Sequence, residues 1–318
     1  MLLFVLLLLV LHSQTALGAD NILILAQGRS GSTFLSSWFG SLPNVTYFIE
    51  PCSLVYGLNT IRDRTGEDCA RFIKELFACD FSRANVVRNQ TVFIPEIARK
   101  AFKGWGHQGN SSDVLECQTK RAHVTKELRM GMVWAKRLVD FDRVIVLFRD
   151  PRAIMNSRQM DWPKPSKSFT KQDDSANPHG WNGKTGFPYS QSLRSLCIEH
   201  LALRKRVEED GEGKVLAIEY SQVLADSVAV SKLAMEFTHL QEFAPVVEQH
   251  VTRNLNGDCV DPDSPFSVCR TKVPKLDTKW RKTLSIDTLN QLSDIQECDQ
   301  VLSTYYSNKP LRNEGEEL

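Results

Sequence analysis

Ile22-Leu23-Ile24-Leu25-Ala26, followed almost at once by Gly28-Arg29-Ser30-Gly31-Ser32-Thr33-Phe34, leaves few folds open to this chain. The apolar run predicts a buried strand, and Thr33 to Phe39 carries the apolar spacing of a helix. A turn rich in glycine and serine joins them. Strand, tight turn and helix together aim several backbone N–H groups and the positive end of a helix dipole at one point. The natural occupant is an anion, most often a phosphate or sulfate. The pattern Gly-x-x-x-x-Gly-Lys-[Ser/Thr] cannot be drawn through the loop, so this is not a Walker A sequence. An arginine stands where the turn begins, and hydroxyls follow the second glycine.

A second loop of the same kind lies further on. Arg143-Val144-Ile145-Val146-Leu147-Phe148 reads as a central parallel strand. It ends at Arg149-Asp150-Pro151-Arg152, and a helix opens over Ala153 to Arg158. Ser157 falls about two helical turns after Arg149, so an arginine and a hydroxyl can clamp a second phosphate. Val45 to Ile49 predicts another strand, ending at Glu50-Pro51, and Lys214 to Ile218 a further one. Val124 to Trp134 contains a helix or a strand. Helices are expected over about 65–84, 192–209, 227–238 and 285–305, with loops over 161–188 and 254–275. Strands alternating with helices imply an α/β fold with a mainly parallel sheet. Ligands in such sheets sit at the carboxyl ends of the strands, where both Arg29 and Arg149 fall.

The 318 residues are 42% hydrophobic, ample for one large domain over residues 20–318. A net charge of +1 gives no overall attraction to nucleic acid or membrane, so charge-driven binding must come from local clusters. Met1 to Leu11 is wholly apolar and shorter than the roughly 20 residues of a comfortable membrane span. Residues 1–19 therefore read as a secretory signal peptide or a short signal anchor. The sequons at Asn44, Asn89 and Asn110 agree with a secretory route. So do eight cysteines with no Cys-x-x-Cys pair, which point to disulfides rather than zinc. The pairing favoured by spacing is Cys259 with Cys269.

The wording of the two loops resembles the sulfotransferases. Gly28 to Phe34 is similar to their 5′-phosphosulfate loop, and Arg149 to Ser157 to their 3′-phosphate segment. Arg-Ser-Gly-Ser-Thr-Phe and Arg-Asp-Pro-Arg-Ala look most like the Golgi carbohydrate 6-O-sulfotransferases. Glu50-Pro51, Tyr220, Lys279-Trp280-Arg281 and Cys298 extend the likeness over about residues 22–306. Two wordings differ. The family's Arg-Tyr-Glu-Asp is here Glu219-Tyr220-Ser221-Gln222, and its Leu-Gly-Tyr is here Thr304-Tyr305-Tyr306.

The resemblance implies a P-loop-like, three-layer α/β fold with a central, mainly parallel sheet flanked by helices. It implies the donor 3′-phosphoadenosine 5′-phosphosulfate, no metal, and transfer of a sulfuryl group to a glycan hydroxyl in the Golgi lumen. The implied acceptor is the 6-position of a hexose or N-acetylhexosamine. Gly28, Arg29, Ser30, Gly31, Ser32, Thr33 and Phe34 would hold the 5′ end of the donor, with backbone N–H groups from Ser30 to Phe34 on the phosphate. Arg149, Ser157, Tyr220 and Lys279 would hold the 3′ end. Arg29 would stabilise the leaving oxygen and Glu50 act as general base. Glu50 reads equally as a helix cap or an arginine partner. His107 and His123 are alternative bases that also read as surface histidines. Lys136 and Arg137 line the donor site or flank a strand, Asp150 and Arg152 stabilise their loop, and Trp280 is core or adenine platform. Transfer to protein tyrosine, and a catalytically silent glycan binder, are the competing functions.

Overall fold

The structure, a computed structural model, describes residues 20–52, 67–82, 111–128, 140–161, 193–258, 268–269, 279–284 and 286–306. The expected signal segment, the 162–188 part of the polar loop, Asn89 and Asn110, and Cys259 lie outside these residues. Five strands form one sheet: β1 (Asp20–Ala26), β2 (Val45–Ile49), β3 (Ala122–Glu127), β4 (Arg143–Phe148) and β5 (Val215–Glu219). Their order is β2-β3-β1-β4-β5, and every pairing is parallel. Val124 to Glu127, the first part of the segment left open between helix and strand, is thus strand and belongs to β3, lying between β2 and β1.

Continuous apolar strands follow from burial on both faces. Leu23, Leu25, Val144 and Val146 point into one core with Phe72, Ile73 and Leu76 of helix α2 (Glu67–Phe77). Ile22, Ile24, Ile145 and Leu147 point into the other. There they meet Phe34, Leu35, Trp38 and Phe39 of α1 (Ser32–Gly40), with helices α7 (Ser227–Phe237) and α8 (Ala244–Leu255). Each such side chain is worth about 1.5–3 kcal/mol on burial. Helix, sheet and helix make the three-layer α/β architecture.

Helix α3 (Ser111–Gln118) precedes β3 and α4 (Pro151–Asp161) follows β4. Helices α5 (Leu193–Glu208) and α6 (Tyr220–Ala225) stand before and after β5. The short α9 (Trp280–Thr283) precedes α10 (Ile286–Asp294) and α11 (Gln296–Tyr305). The single final helix expected over 285–305 is therefore two. Ile295 is extended at the break, and Glu297 and Asp299 favour a new helix start beyond it. The apolar spacing runs on through Leu289, Leu292, Val301 and Leu302, which hides the break in the sequence. Helix α8 also reaches Leu255, inside the stretch expected as loop.

Three disulfides, Cys52–Cys69, Cys79–Cys117 and Cys197–Cys298, fit an oxidising compartment. Cys269 is disulfide-bonded as well. Asn44 is exposed in the turn before β2. Among the described residues no helix is long and apolar enough to cross a membrane.

His200 of α5 is fully buried beside Phe148, their ring centroids 5.0 Å apart. Burial, and less strongly the Arg204 charge, pushes its imidazole down from 6.5 to about 3. The unfolded chain then binds more protons than the folded one across that interval. Its contribution is complete above pH 6.5 and is lost as pH falls toward 3. Urea titrations should show about 2 kcal/mol less stability at pH 5 than at pH 7 from this group. His200→Gln should flatten that slope, and a variant as pH-sensitive as the parent chain would refute the assignment.

Candidate active site

The carboxyl ends of all five strands converge on one edge of the sheet. The register sets Ala26 against Leu147, Leu25 against Glu127, Ile49 against Lys126 and Phe148 against Glu219. The residues that follow, Gln27 to Gly31, Glu50, Arg149 and Tyr220, therefore share that edge.

The first loop is a tight turn. Ser30 N–H donates to Gln27 O at 3.1 Å, and Gln27 Nε2 donates to Leu196 O at 2.7 Å. Arg29 has φ 74° and Gly31 φ 94°, both left-handed. Gly31 caps α1 with no side-chain hydrogen bond. A Cβ there would fall 2.1 Å from Tyr220 Cε2, so ring contact and backbone angle both demand glycine. Phe34 N–H donates to Gly31 O at 3.1 Å. Of the amides from Ser30 to Phe34, the first and last thus serve the turn itself. Those of Gly31, Ser32 and Thr33 stand at the helix start, where intrahelical acceptors are lacking. Ser30 is fully buried, and its Oγ has no hydrogen-bond partner among the described residues. A phosphate oxygen supplies the acceptor that this hydroxyl lacks, so the loop fits a phosphorylated ligand.

The second loop is bound to the first. Arg149 Nη1 donates to Arg29 O at 2.7 Å, and Arg29 Nε donates to Ser157 Oγ at 3.2 Å. The Arg149 guanidinium lies 4.6 Å from the centre of the Tyr220 ring, a cation–π arrangement. The two loops and Tyr220 thus form one constellation. Asp150 stabilises its loop as expected, accepting from Arg152 N at 2.9 Å and Nη2 at 2.8 Å. Arg152 also lies 4.2 Å over Trp280, which is a core residue at 1% exposure. Lys279 is exposed at the start of α9. That short helix is held to α4 by the Thr283 hydroxyl, which donates to Asn156 Oδ1 at 2.6 Å.

The partner that the described residues show for Glu50 is a lysine. Glu50 pairs with Lys126, whose Nζ donates to Glu50 Oε1 at 2.6 Å, with both side chains buried. Glu50 N–H donates to Lys126 O at 2.8 Å. The Glu50 backbone is left-handed at φ 48°, a strained state for a side-chain-bearing residue. Adjacent Glu127 clamps the segment by accepting from Cys52 N at 3.0 Å and Leu128 N at 2.8 Å. Lys126 escaped the sequence reading. With Glu127 it closes a strand whose six residues are all buried, and no local pattern names its partner. Tyr47 also went unread. Burial, opposed by a Ser36 hydrogen bond and reinforced by the Glu50 charge, raises its phenol pKa and keeps it protonated.

His123 is corrected from a surface residue to a core one. It pairs with Asn21 in register, at the amino end of β3 and away from the loops. It is buried against the Cys79–Cys117 disulfide and the Phe77 ring, and burial lowers its pKa. His107, Lys136 and Arg137 lie outside the described residues.

No protein-family model matches the chain. The human protein Carbohydrate sulfotransferase 5 is 21% identical over 326 aligned residues, covering 89% of this chain and 77% of its own length. Solved structures of similar outline include a sulfotransferase from Alicyclobacillus acidocaldarius (TM-score 0.43, 14% identity, 92% of this chain and 99% of that one). Mouse sulfotransferase SULT7A1 complexed with PAP gives 0.43 and 12%, over 90% and 89% of the two chains. Retinol dehydratase with androsterone and the inactive cofactor PAP gives 0.46 and 13%, over 92% and 83%. Over most of its length the chain is similar to a carbohydrate sulfotransferase, as the wording of its two anion loops implied.

Proposed function

We propose that the protein is a sulfotransferase of the secretory pathway that moves a sulfuryl group from 3′-phosphoadenosine 5′-phosphosulfate to a hydroxyl of a glycan. The acceptor we assign is the 6-position of a hexose or N-acetylhexosamine. The observation that carries the reading is the joining of two anion loops, at the ends of adjacent parallel strands, through Arg29 and Arg149. A donor with phosphate at both ends needs two such loops at fixed separation. The likeness to a curated carbohydrate sulfotransferase supports the acceptor class, and the disulfides support the compartment.

In this reading residues 20–318 form the sulfotransferase domain, and the amides of Gly31, Ser32 and Thr33 with the Ser30 hydroxyl hold the 5′-phosphate. Arg149, Ser157 and Lys279 hold the 3′-phosphate, and the Tyr220 ring backs the Arg149 guanidinium. Glu50 accepts the proton of the acceptor hydroxyl as its oxygen attacks sulfur. Arg29 neutralises the charge left on the phosphate oxygen when the old S–O bond breaks. Glu50 follows β2 and Arg29 follows β1, strands that lie two spacings, about 10 Å, apart in the sheet. An acceptor hydroxyl and a sulfuryl group occupy that interval, with Lys126 rising from the strand between.

Calorimetric titration with 3′-phosphoadenosine 5′-phosphate tests the site, with Arg149→Ala as the decisive variant. Losing a charged hydrogen-bond donor and its grip on the first loop should weaken binding by at least about 100-fold. Unchanged affinity would refute the assignment. Transfer of labelled sulfate to desulfated glycans and to tyrosine peptides, side by side, tests the acceptor. Labelled peptide without labelled glycan would overturn it.

A further inference from the structure

Glu219 ends β5 and carries a negative charge to the edge where anions are expected. Six groups converge on it or on its partner Arg204. Its side chain and that of Gln222 form a reciprocal capping box on α6, in which Gln222 Oε1 accepts from Glu219 N at 3.0 Å. Its Oε1 accepts from Arg204 Nη2, and its Oε2 accepts from the Tyr306 hydroxyl at 3.2 Å. Arg204 is itself confined, with its guanidinium 3.7 Å over the Phe148 ring and 4.5 Å over Tyr305. Arg204 Nε donates to His200 Nε2 at 3.3 Å. An arginine precedes this tyrosine in the family the sequence resembles. Here a glutamate does, and a guanidinium reaches it from α5.

The next residue is Tyr220, buried at 3% exposure, whose ring both covers Gly31 and stacks on Arg149. The first turn of α6 therefore sets where the Arg149 guanidinium rests. The Glu219 carboxylate can hold that turn next to an anion site only if its charge is neutralised.

Resting on the sulfotransferase reading, we propose that Glu219 is a positioning residue, neutralised by Arg204 and hydrogen-bonded by Tyr306, that seats Tyr220 against Gly31 and Arg149 for binding of the 3′-phosphate. Arg204→Gln leaves the Glu219 charge one residue from the site without its guanidinium partner. Glu219→Gln keeps a cap and removes the charge. The experiment measures the Kd for 3′-phosphoadenosine 5′-phosphate on the full chain, with thermal unfolding followed in parallel.

Arg204→Gln should raise Kd about 10-fold, the equivalent of about 1.4 kcal/mol. The double variant Arg204→Gln/Glu219→Gln should recover to within about threefold of the parent chain. A merely structural ion pair behaves differently, because its loss and repair move the thermal midpoint and leave Kd unchanged. Unchanged Kd in Arg204→Gln, or no recovery in the double variant, overturns the proposal. Should Arg204→Gln fail to fold, Tyr306→Phe removes one hydroxyl and should raise Kd about threefold, and an unchanged value overturns it equally. A parent chain that does not bind the nucleotide sinks the sulfotransferase reading and this inference with it. Binding that is indifferent to these variants sinks this inference alone.

Discussion

Glu50→Gln should lower kcat by about 10²–10⁴-fold, the range of a lost general base, while the Kd for 3′-phosphoadenosine 5′-phosphate stays unchanged. Glutamine keeps an oxygen for Lys126 Nζ but cannot accept the acceptor's proton at neutral pH. Glu50 is built into the fold as a group that must not move. A left-handed backbone, a buried ion pair, a hydrogen bond to the Lys126 carbonyl and the neighbouring Glu127 clamp all fix it. Removing one member of a buried pair costs about 3–5 kcal/mol, so thermal unfolding must accompany the kinetics. A folded Glu50→Gln enzyme retaining more than a tenth of its kcat would show that another group takes the proton.

Removing the Arg29 charge should cost about 10²–10³-fold in kcat, the scale of a lost oxyanion donor. Asparagine is the better replacement here, because it tolerates the left-handed φ of 74° at this position more readily than alanine does. Arg149 holds the Arg29 carbonyl, not its side chain, so Arg29→Asn leaves that tie in place. The Kd for the desulfated nucleotide should then shift less than tenfold. Arg29→Lys should recover part of the rate, since a lysine restores the charge but not the planar fork. Single-turnover transfer of labelled sulfate measures each. Equal rates for Arg29→Asn and the parent chain would remove Arg29 from the chemistry.

The sheet was legible because buried parallel strands are continuous apolar runs, and Ile22 to Ala26 and Val144 to Phe148 are such runs. The loops were legible because arginine, glycine and serine at a strand end have a chemical reason to be there. Lys126 was not, because the ion pair with Glu50 spans 76 positions and only strand register brings the two together. His123 misled for a related reason. A histidine reads as polar in sequence, yet it fills the core beside a disulfide that spacing alone does not reveal. The Glu219 ion pair was hidden too, since its guanidinium partner lies on α5.

The three disulfides have a further consequence. Two close within the first 117 residues and the third within residues 197–298, so none of the three joins the part of the chain before β4 to the part from β4 onward. These two parts meet through the β1–β4 ladder and at the loops, where Gln27 reaches Leu196 and Arg29 reaches Arg149 and Ser157. A nucleotide bound to both loops is then a removable rivet across a seam that no described cross-link spans. Its stabilisation follows mass action, about 2.7 kcal/mol at 100 times Kd. A reductant that opens these three disulfides acts within each part separately and leaves the contacts between the parts uncut.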